Sequence, residues 1–207
     1  MFTIFQKIFG GFLILVVILA SLILYFSFQT IRNNYIKHVT AELKNLNITL
    51  RMQLVPMLEK GESHEIDSLV KILDKDIKTR LTIIAPDGKV IADSKKDPAN
   101  MENHGKRPEI IQAYKGKVGK SIRYSTTVSE DMLYVAMPIK KDGKMLAVTR
   151  ASWFMSDVNE IIGELKNQII YITVIVVVIS IFLVYFFSRS LSKPIKILAS
   201  ASRKVAE

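Results

Sequence analysis

The 207-residue sequence has no cysteine. That excludes disulfides, a thiol nucleophile and any cysteine-ligated metal site. Histidine is almost as scarce: His38, His64 and His104 stand 26 and 40 positions apart and share no local ligand spacing. His64 lies among Glu62, Glu65 and Asp67, which reads as an acidic first helical turn rather than a metal site. Nucleophile elbow (G-x-S-x-G), zincin (H-E-x-x-H), P-loop, kinase-type glycine loop and calcium-loop spacings are all missing. Neither catalysis nor a metal is expected of these residues themselves.

Charge is missing in two long stretches. None occurs from Ile8 to Ile31, around "IFGGFLILVVILASLILYF", nor from Asn167 to Ser188, around "IIYITVIVVVISIFLVYFF". Each exceeds the ~20 apolar residues that cross a hydrocarbon core as a helix. The first is too long for the core of a signal peptide and no small-x-small cleavage pattern follows it, so it reads as an uncleaved anchor. Neither span carries an ionisable group, which argues against an ion pathway.

Lys7 precedes the first span, and Arg189, Lys193, Lys196, Arg203 and Lys204 follow the second with no acid before Glu207. Positive flanks favour the cytoplasm. The expected layout is a cytoplasmic N-terminus at 1–7, spans at 8–31 and 167–188, an extracytoplasmic domain at 32–166 and a cytoplasmic segment at 189–207. The outer segment holds 23 of the 29 Lys/Arg and 18 of the 19 Asp/Glu. About half of the net charge of +10 therefore sits on short membrane flanks, next to lipid headgroups, and is no footprint for nucleic acid. The outer segment is long enough to hold itself together by a core.

Its pattern is α+β. Ile36, Val39, Leu43, Leu46, Leu50, Leu54 and Met57 recur every three or four residues, predicting a helix that continues from the first span and ends near Pro56 and Gly61. That seam packs on its own domain, on a second copy, or on both. A second helix is predicted from an N-cap at Ser63, with Ile66, Leu69, Val70, Leu73 and Ile77 on one face. "RLTIIAPDGKVIADS" predicts a hairpin turning at Asp87-Gly88 with positive φ at both turn residues. Asp97-Pro98 and Pro108 open short helices. Three further strands follow, the last two joined at Asp142-Gly143, and a final helix begins near Met155. Five short strands after a leading helix predict an antiparallel sheet with helices on one side.

Two stretches offer polar groups for a small pocket. "ADSKKDPANMENHGKRPEI" supplies Asp93, Ser94, Asn103, His104 and Arg107; "RYSTTVSEDMLYVAMPI" supplies Arg123, Tyr124 and Tyr134. The candidate ligand contacts are Asp93, His104, Arg107, Arg123 and Tyr134. On the other reading, Asn103, His104 and Arg107 tie an irregular loop and Tyr134 fills core.

These stretches, "MENHGKRPEI" and "RYSTTVSEDMLYVAMPI" above all, resemble the extracytoplasmic sensor region of phosphate-regulon-type (PhoR-like) sensor histidine kinases, through most of residues 30–166. The resemblance implies a PAS-like, single-Cache fold. "SLSKPIKILASASRKVAE" resembles the first helix of a HAMP relay module. Leu191, Pro194, Leu198, Ala201 and Val205 form its seam, with a break expected at Pro194. A family member would continue to a phosphoacceptor-histidine helix and an ATP-binding domain. ATP, magnesium and the response regulator belong to those absent parts, and no cofactor is expected here. The chain then reads as a sensory fragment or a truncated frame. The implied role is a homodimeric input module in the bacterial cytoplasmic membrane, informed by a small extracytoplasmic ligand or a transporter partner. The alternatives are an input module for a chemoreceptor or cyclic-dinucleotide enzyme, or a freestanding membrane regulator.

Overall fold

The computed structural model describes residues 3–77 and 79–206; the side chains of Ile4, Asp76 and residues 193–206 lie outside that description. The chain divides into two compact units, residues 34–161 and the pair of segments 1–33 and 162–207.

The paired segments belong to two long helices, α1 (Ile4–Lys60) and α4 (Met155–Ala206). Both are long and apolar enough to cross a membrane. Their apolar side chains, Ile14, Val17, Ile18, Val176 and Phe182 among them, stay exposed within the chain, as lipid-facing residues do. Two hydroxyls in these stretches bond back one turn, Ser21 Oγ to the Val17 carbonyl and Ser180 Oγ to the Val176 carbonyl, both at 2.8 Å. Helix α4 is continuous through Pro194, against the expected break: proline removes one donor, and the turns on either side carry the helix past it. Leu191 is exposed. The relay side chains of Pro194, Leu198 and Val205 lie outside the described residues.

The unit at 34–161 is α+β. After the α1 segment come α2 (Ser63–Asp76), β1 (Arg80–Ile84), β2 (Val90–Asp93), a single 3-10 turn at Pro98–Asn100, α3 (Pro108–Tyr114), β3 (Gly119–Ser125), β4 (Glu130–Lys141) and β5 (Lys144–Phe154). The strands form one antiparallel sheet in the order β2-β1-β5-β4-β3. Long stretches of β4 and β5 are buried at every position, so both of their faces are covered. Ile110 and Ala113 of α3 pack with Ile84, Val90, Ala136 and Val148 on one face. Residues one step along the strands point the other way, and there the α1 seam is buried at Ile36, Val39, Leu43, Leu50 and Leu54. On that seam Asn47 donates to the Val135 carbonyl at 3.0 Å and accepts from Thr149 Oγ1 at 2.9 Å. The helices therefore flank both faces rather than one, and the seam of α1 is buried against its own domain.

The turns differ in a way the sequence did not separate. At Asp142-Gly143 both residues have positive φ, 50° and 79°, as a two-residue hairpin requires. At Asp87-Gly88 only Gly88 does, at 88°. There Pro86 and Asp87 are the middle of a turn closed by the Gly88 N–H on the Ala85 carbonyl at 2.9 Å. The register shift beside Ile84 absorbs the extra residue as a bulge. Helix α2 begins at Ser63 as expected, but its N-cap is Glu62 with no side-chain bond. Asp97 does cap its short turn, accepting from the Ala99 N–H.

Candidate functional site

One face of the sheet carries a line of buried charge to which all five strands and α3 contribute. Arg80 on β1 donates from Nε to both carboxylate oxygens of Asp93 on β2, at 3.1 Å each. Thr82 Oγ1 donates to Asp93 Oδ2 at 2.8 Å and accepts from Arg150 Nη2 on β5 at 3.0 Å. Arg150 Nη1 reaches Glu109 Oε1 on α3 at 3.2 Å, and Arg123 on β3 donates to the same oxygen from Nη2 at 2.7 Å. The Tyr134 ring on β4 lies between two guanidinium groups, with Arg123 4.2 Å and Arg150 4.8 Å from its centroid, within cation–π range.

Strand pairing produces this line. Thr82 is paired with both Asp93 and Arg150, and Arg150 with Ala136, so alternate residues of neighbouring strands meet on one face. Two glycines let the helix and loop approach. At Gly119 a Cβ would overlap the Glu109 carbonyl, so only glycine lets α3 set Glu109 against the sheet. At Gly88 a Cβ would meet Asn103 and Gly105, and the Gly88 carbonyl accepts the His104 N–H at 2.8 Å. The bulged turn thereby fixes the loop that carries His104.

Arg80, Asp93, Glu109 and Arg150 are each at most 1% exposed. Burial works to raise the Glu109 carboxyl; the hydrogen bond from Arg123 and the charge of Arg150 outweigh it and hold it below the usual range. Burial likewise lowers Arg150, opposed by Glu109. The line holds three guanidinium groups and two carboxylates, an excess of positive charge. Two of its nitrogens, Arg80 Nη2 and Arg150 Nε, have no aligned acceptor. Arg80 Nη2 does sit 3.0 Å from Asp93 Oδ2, an ionic contact whose N–H direction misses the oxygen.

Beside this line is a cavity of about 520 Å³, lined by Lys96, Asp97, Asn100, Met101, Glu102, His104, Thr126 and Thr127. Thr126 and Thr127 belong to the β3–β4 turn, where Ser129 takes a φ of 57°. His104 is buried and its Nδ1 has no partner. Burial first, then the charges of Arg150 and Arg107, lower its pKa to about 4.

Of the five ligand contacts expected from sequence, only His104 lines this cavity. Asp93 is fully engaged by Arg80, Thr82 and the N–H groups of Lys95 and Lys96. Arg123 and Tyr134 belong to the same charged line, and Arg107 lies 3.6 Å from Glu102 at the surface. Sequence reasoning passed over Arg80, Thr82, Glu109 and Arg150. An arginine in the middle of the buried strand "KMLAVTRASW" was the available signal, because a charge there needs partners.

Residues 55–147 match the family model for the single Cache-like domain. The sensor domain of the Vibrio cholerae histidine kinase DctB has the same fold, with a TM-score of 0.54 and 17% identity over 68% of this chain and 59% of that one. The E. coli DcuS sensor domain aligns with a TM-score of 0.48 and 16% identity, over 63% and 96% of the two chains. A Campylobacter jejuni chemoreceptor Tlp3 ligand-binding domain in complex with L-valine aligns at 0.42 and 18%, over 67% and 64%. The chain thus spans less than two thirds of the length of the DctB domain. No curated protein matches the sequence. Over residues 55–147 the domain is thus similar to single Cache-like domains, and in the sequence it lies between two helices long and apolar enough to cross a membrane.

Proposed function

We propose that this chain is the transmembrane input module of a two-component sensor histidine kinase of the PhoR-like type, seated in the bacterial cytoplasmic membrane. Residues 32–166 are extracytoplasmic, and residues 189–207 form the first helix of a HAMP relay that pairs in a homodimer. ATP, magnesium and the response regulator belong to an output half outside these residues. The signal is a small extracytoplasmic ligand, or a transporter partner that reports one.

One observation carries the reading: the strand that bears Arg150 is linked to both membrane-bound helices. Strand β5 ends at Phe154 and α4 starts at Met155, with no loop between. The neighbour of Arg150, Thr149, points to the opposite face and grips α1 through Asn47. A change at the charged face therefore has a short covalent path to α4 and a hydrogen-bonded path to α1. Packed elements respond to such changes by discrete shifts of 1–2 Å.

The test joins residues 1–207 in frame to the output half of a histidine kinase whose phosphorylation can be followed. Thr149→Val keeps the shape of the side chain and removes its bond to Asn47. It is expected to change the output of a chimera that still folds and inserts. Unchanged output in Thr149→Val and Asn47→Ala chimeras that fold and insert would sink the relay. Topology is read in the same cells, since a chain without cysteine takes single thiol labels cleanly. Met52→Cys, at a site 77% exposed, is expected to react with an impermeant maleimide from outside, and Ser202→Cys only after permeabilisation. The reverse pattern would overturn the orientation.

A further inference from the structure

The exposed charge of the domain is sorted along its strands. At one end of the sheet lie the β1–β2 turn, the α3–β3 loop and the β4–β5 turn, because antiparallel pairing sets Ile84 beside Val148 and Lys141 beside Lys144. Two contacts join these segments into one surface. The Tyr114 hydroxyl donates to the Ala85 carbonyl at 3.1 Å, and a Cβ on Gly116 would stand 3.3 Å from Lys140 Nζ. This end presents Lys89, Lys115, Lys117, Lys140, Lys141 and Lys144, all exposed. Lys141 is paired with Glu59. The other five pair with no carboxylate among the described residues. The acids of these turns are Asp87 and Asp142, and the Asp87 carboxylate accepts the Lys89 N–H. The opposite end, where β5 passes into α4, carries acids. Glu130 and Asp131 open β4, and Asp157 and Glu160 lie in the first turns of α4, with Ser156 Oγ donating to Glu130 at 3.0 Å.

A surface that only keeps a chain soluble mixes the two signs. Lysines gathered at one end add their fields and draw in anions. The chemistry of this end selects the kind of anion. Interfaces between proteins are anchored by aromatic and arginine side chains and are depleted of lysine. Here every cation is lysine, and among the described residues the one large apolar side chain that these three segments expose is Val118. A second copy in the same membrane would present the same positive end, and like charges repel. Lysine carries a compact charge on a flexible stem, without the fixed fork of arginine, which suits a chain whose acid groups move past it. We infer that this end of the domain is a docking surface for a flexible linear polyanion, a chain of repeated phosphate or carboxylate groups. This partner is additional to the small ligand of the sensor reading, and the two are tested separately.

The test uses the full chain in phosphatidylcholine nanodiscs, with empty nanodiscs as the blank. The probes are fluorescently labelled long-chain polyphosphate and poly-L-glutamate, and fluorescence anisotropy reads their binding. At least one of them is expected to bind with a Kd of about 1–100 μM near 0.15 M salt, the range of charge-driven binding. About five lysine contacts give a log–log salt slope near −3.5, roughly a hundredfold loss between about 50 and 200 mM salt. Lys115→Glu with Lys117→Glu, or Lys140→Glu with Lys144→Glu, is expected to weaken binding about tenfold or more and to flatten that slope. All four positions are exposed, so these variants keep the fold. Lys75→Glu makes the same change near the other end of the sheet, next to the start of β1, and is expected to leave binding unaltered. Polyphosphate against polyglutamate tells which acid group the partner carries.

Failure of both polymers to bind near 0.15 M salt overturns the inference. So does binding that both double variants leave intact, or that salt does not weaken. Lysine-dependent binding of phosphatidylglycerol vesicles, with neither polymer bound, makes the surface a lipid contact and overturns it as well. None of these results bears on the relay, which the kinase chimera tests.

Discussion

Glu109→Gln should be among the most damaging single changes in this domain, though it removes no volume. Glu109 is fully buried and is the shared acceptor for Arg123 and Arg150, at 2.7 and 3.2 Å. Without its charge, the Arg123 and Arg150 guanidinium groups, both close to the Tyr134 ring, lose the carboxylate that they share. Removing one partner of a buried pair costs about 3–5 kcal/mol, because the other charge is left desolvated. Whole-domain stabilities are about 5–15 kcal/mol, and the expected fall in melting temperature is on the order of ten degrees or more. The assay is thermal and urea unfolding of the full chain, beside Glu59→Gln. Glu59 pairs with Lys141 at the surface, where ion pairs are screened, so this control should barely move the midpoint. Adding Arg150→Met to Glu109→Gln should recover part of the loss, since it removes one stranded charge. The pH dependence has a definite sign. Glu109 titrates below the ordinary glutamate range when folded, so its stabilisation is present above that range and is lost as pH falls through the folded value. If Glu109→Gln unfolds at the same midpoint as Glu59→Gln, the charged line does not hold the sheet and α3 together.

Two further outcomes are open to measurement. His104 is held neutral, with a folded pKa of about 4 against 6.5, so the unfolded chain takes the proton first. Stability should therefore fall between pH 6.5 and 4, by up to about 3 kcal/mol and by less where solvent reaches the ring; unfolding curves for His104→Gln should lack this slope, and an unchanged slope would place it on other groups. Gly119→Ala should destabilise by about 1–3 kcal/mol, the usual range for overpacking, because its Cβ overlaps the Glu109 carbonyl. Gly163→Ala, on an open helical position, should be neutral or slightly stabilising, and equal unfolding midpoints for the two would contradict the close approach of α3.

Much of this molecule is written locally in its sequence. Uncharged runs of membrane length, the three-four spacing from Ile36 to Leu54, the strand pattern and the punctuation at Gly61, Pro98, Pro108 and Gly116 need only the chain within one element to act. So does the turn at Asp142-Gly143. The Asp87-Gly88 turn was misread because local composition allows two geometries, and the strand register beside Ile84 chose the bulged one. The covering of both sheet faces was not legible either, since unbroken apolar strands state that both sides are buried without saying by what.

The site marks the boundary most sharply. Asp93, Arg123 and Tyr134 could be picked out as polar or aromatic groups near strand ends, but not their partners. Arg80, Thr82, Glu109 and Arg150 are separated by up to 70 residues and meet only because β1 lies between β2 and β5 and because Gly119 admits α3. By itself the sequence determined which apolar stretches are buried and roughly where the chain turns, because those depend on neighbours along the chain. Which buried charges face one another depends on strand order and register, which long-range pairing settles, and only the tertiary structure decided it.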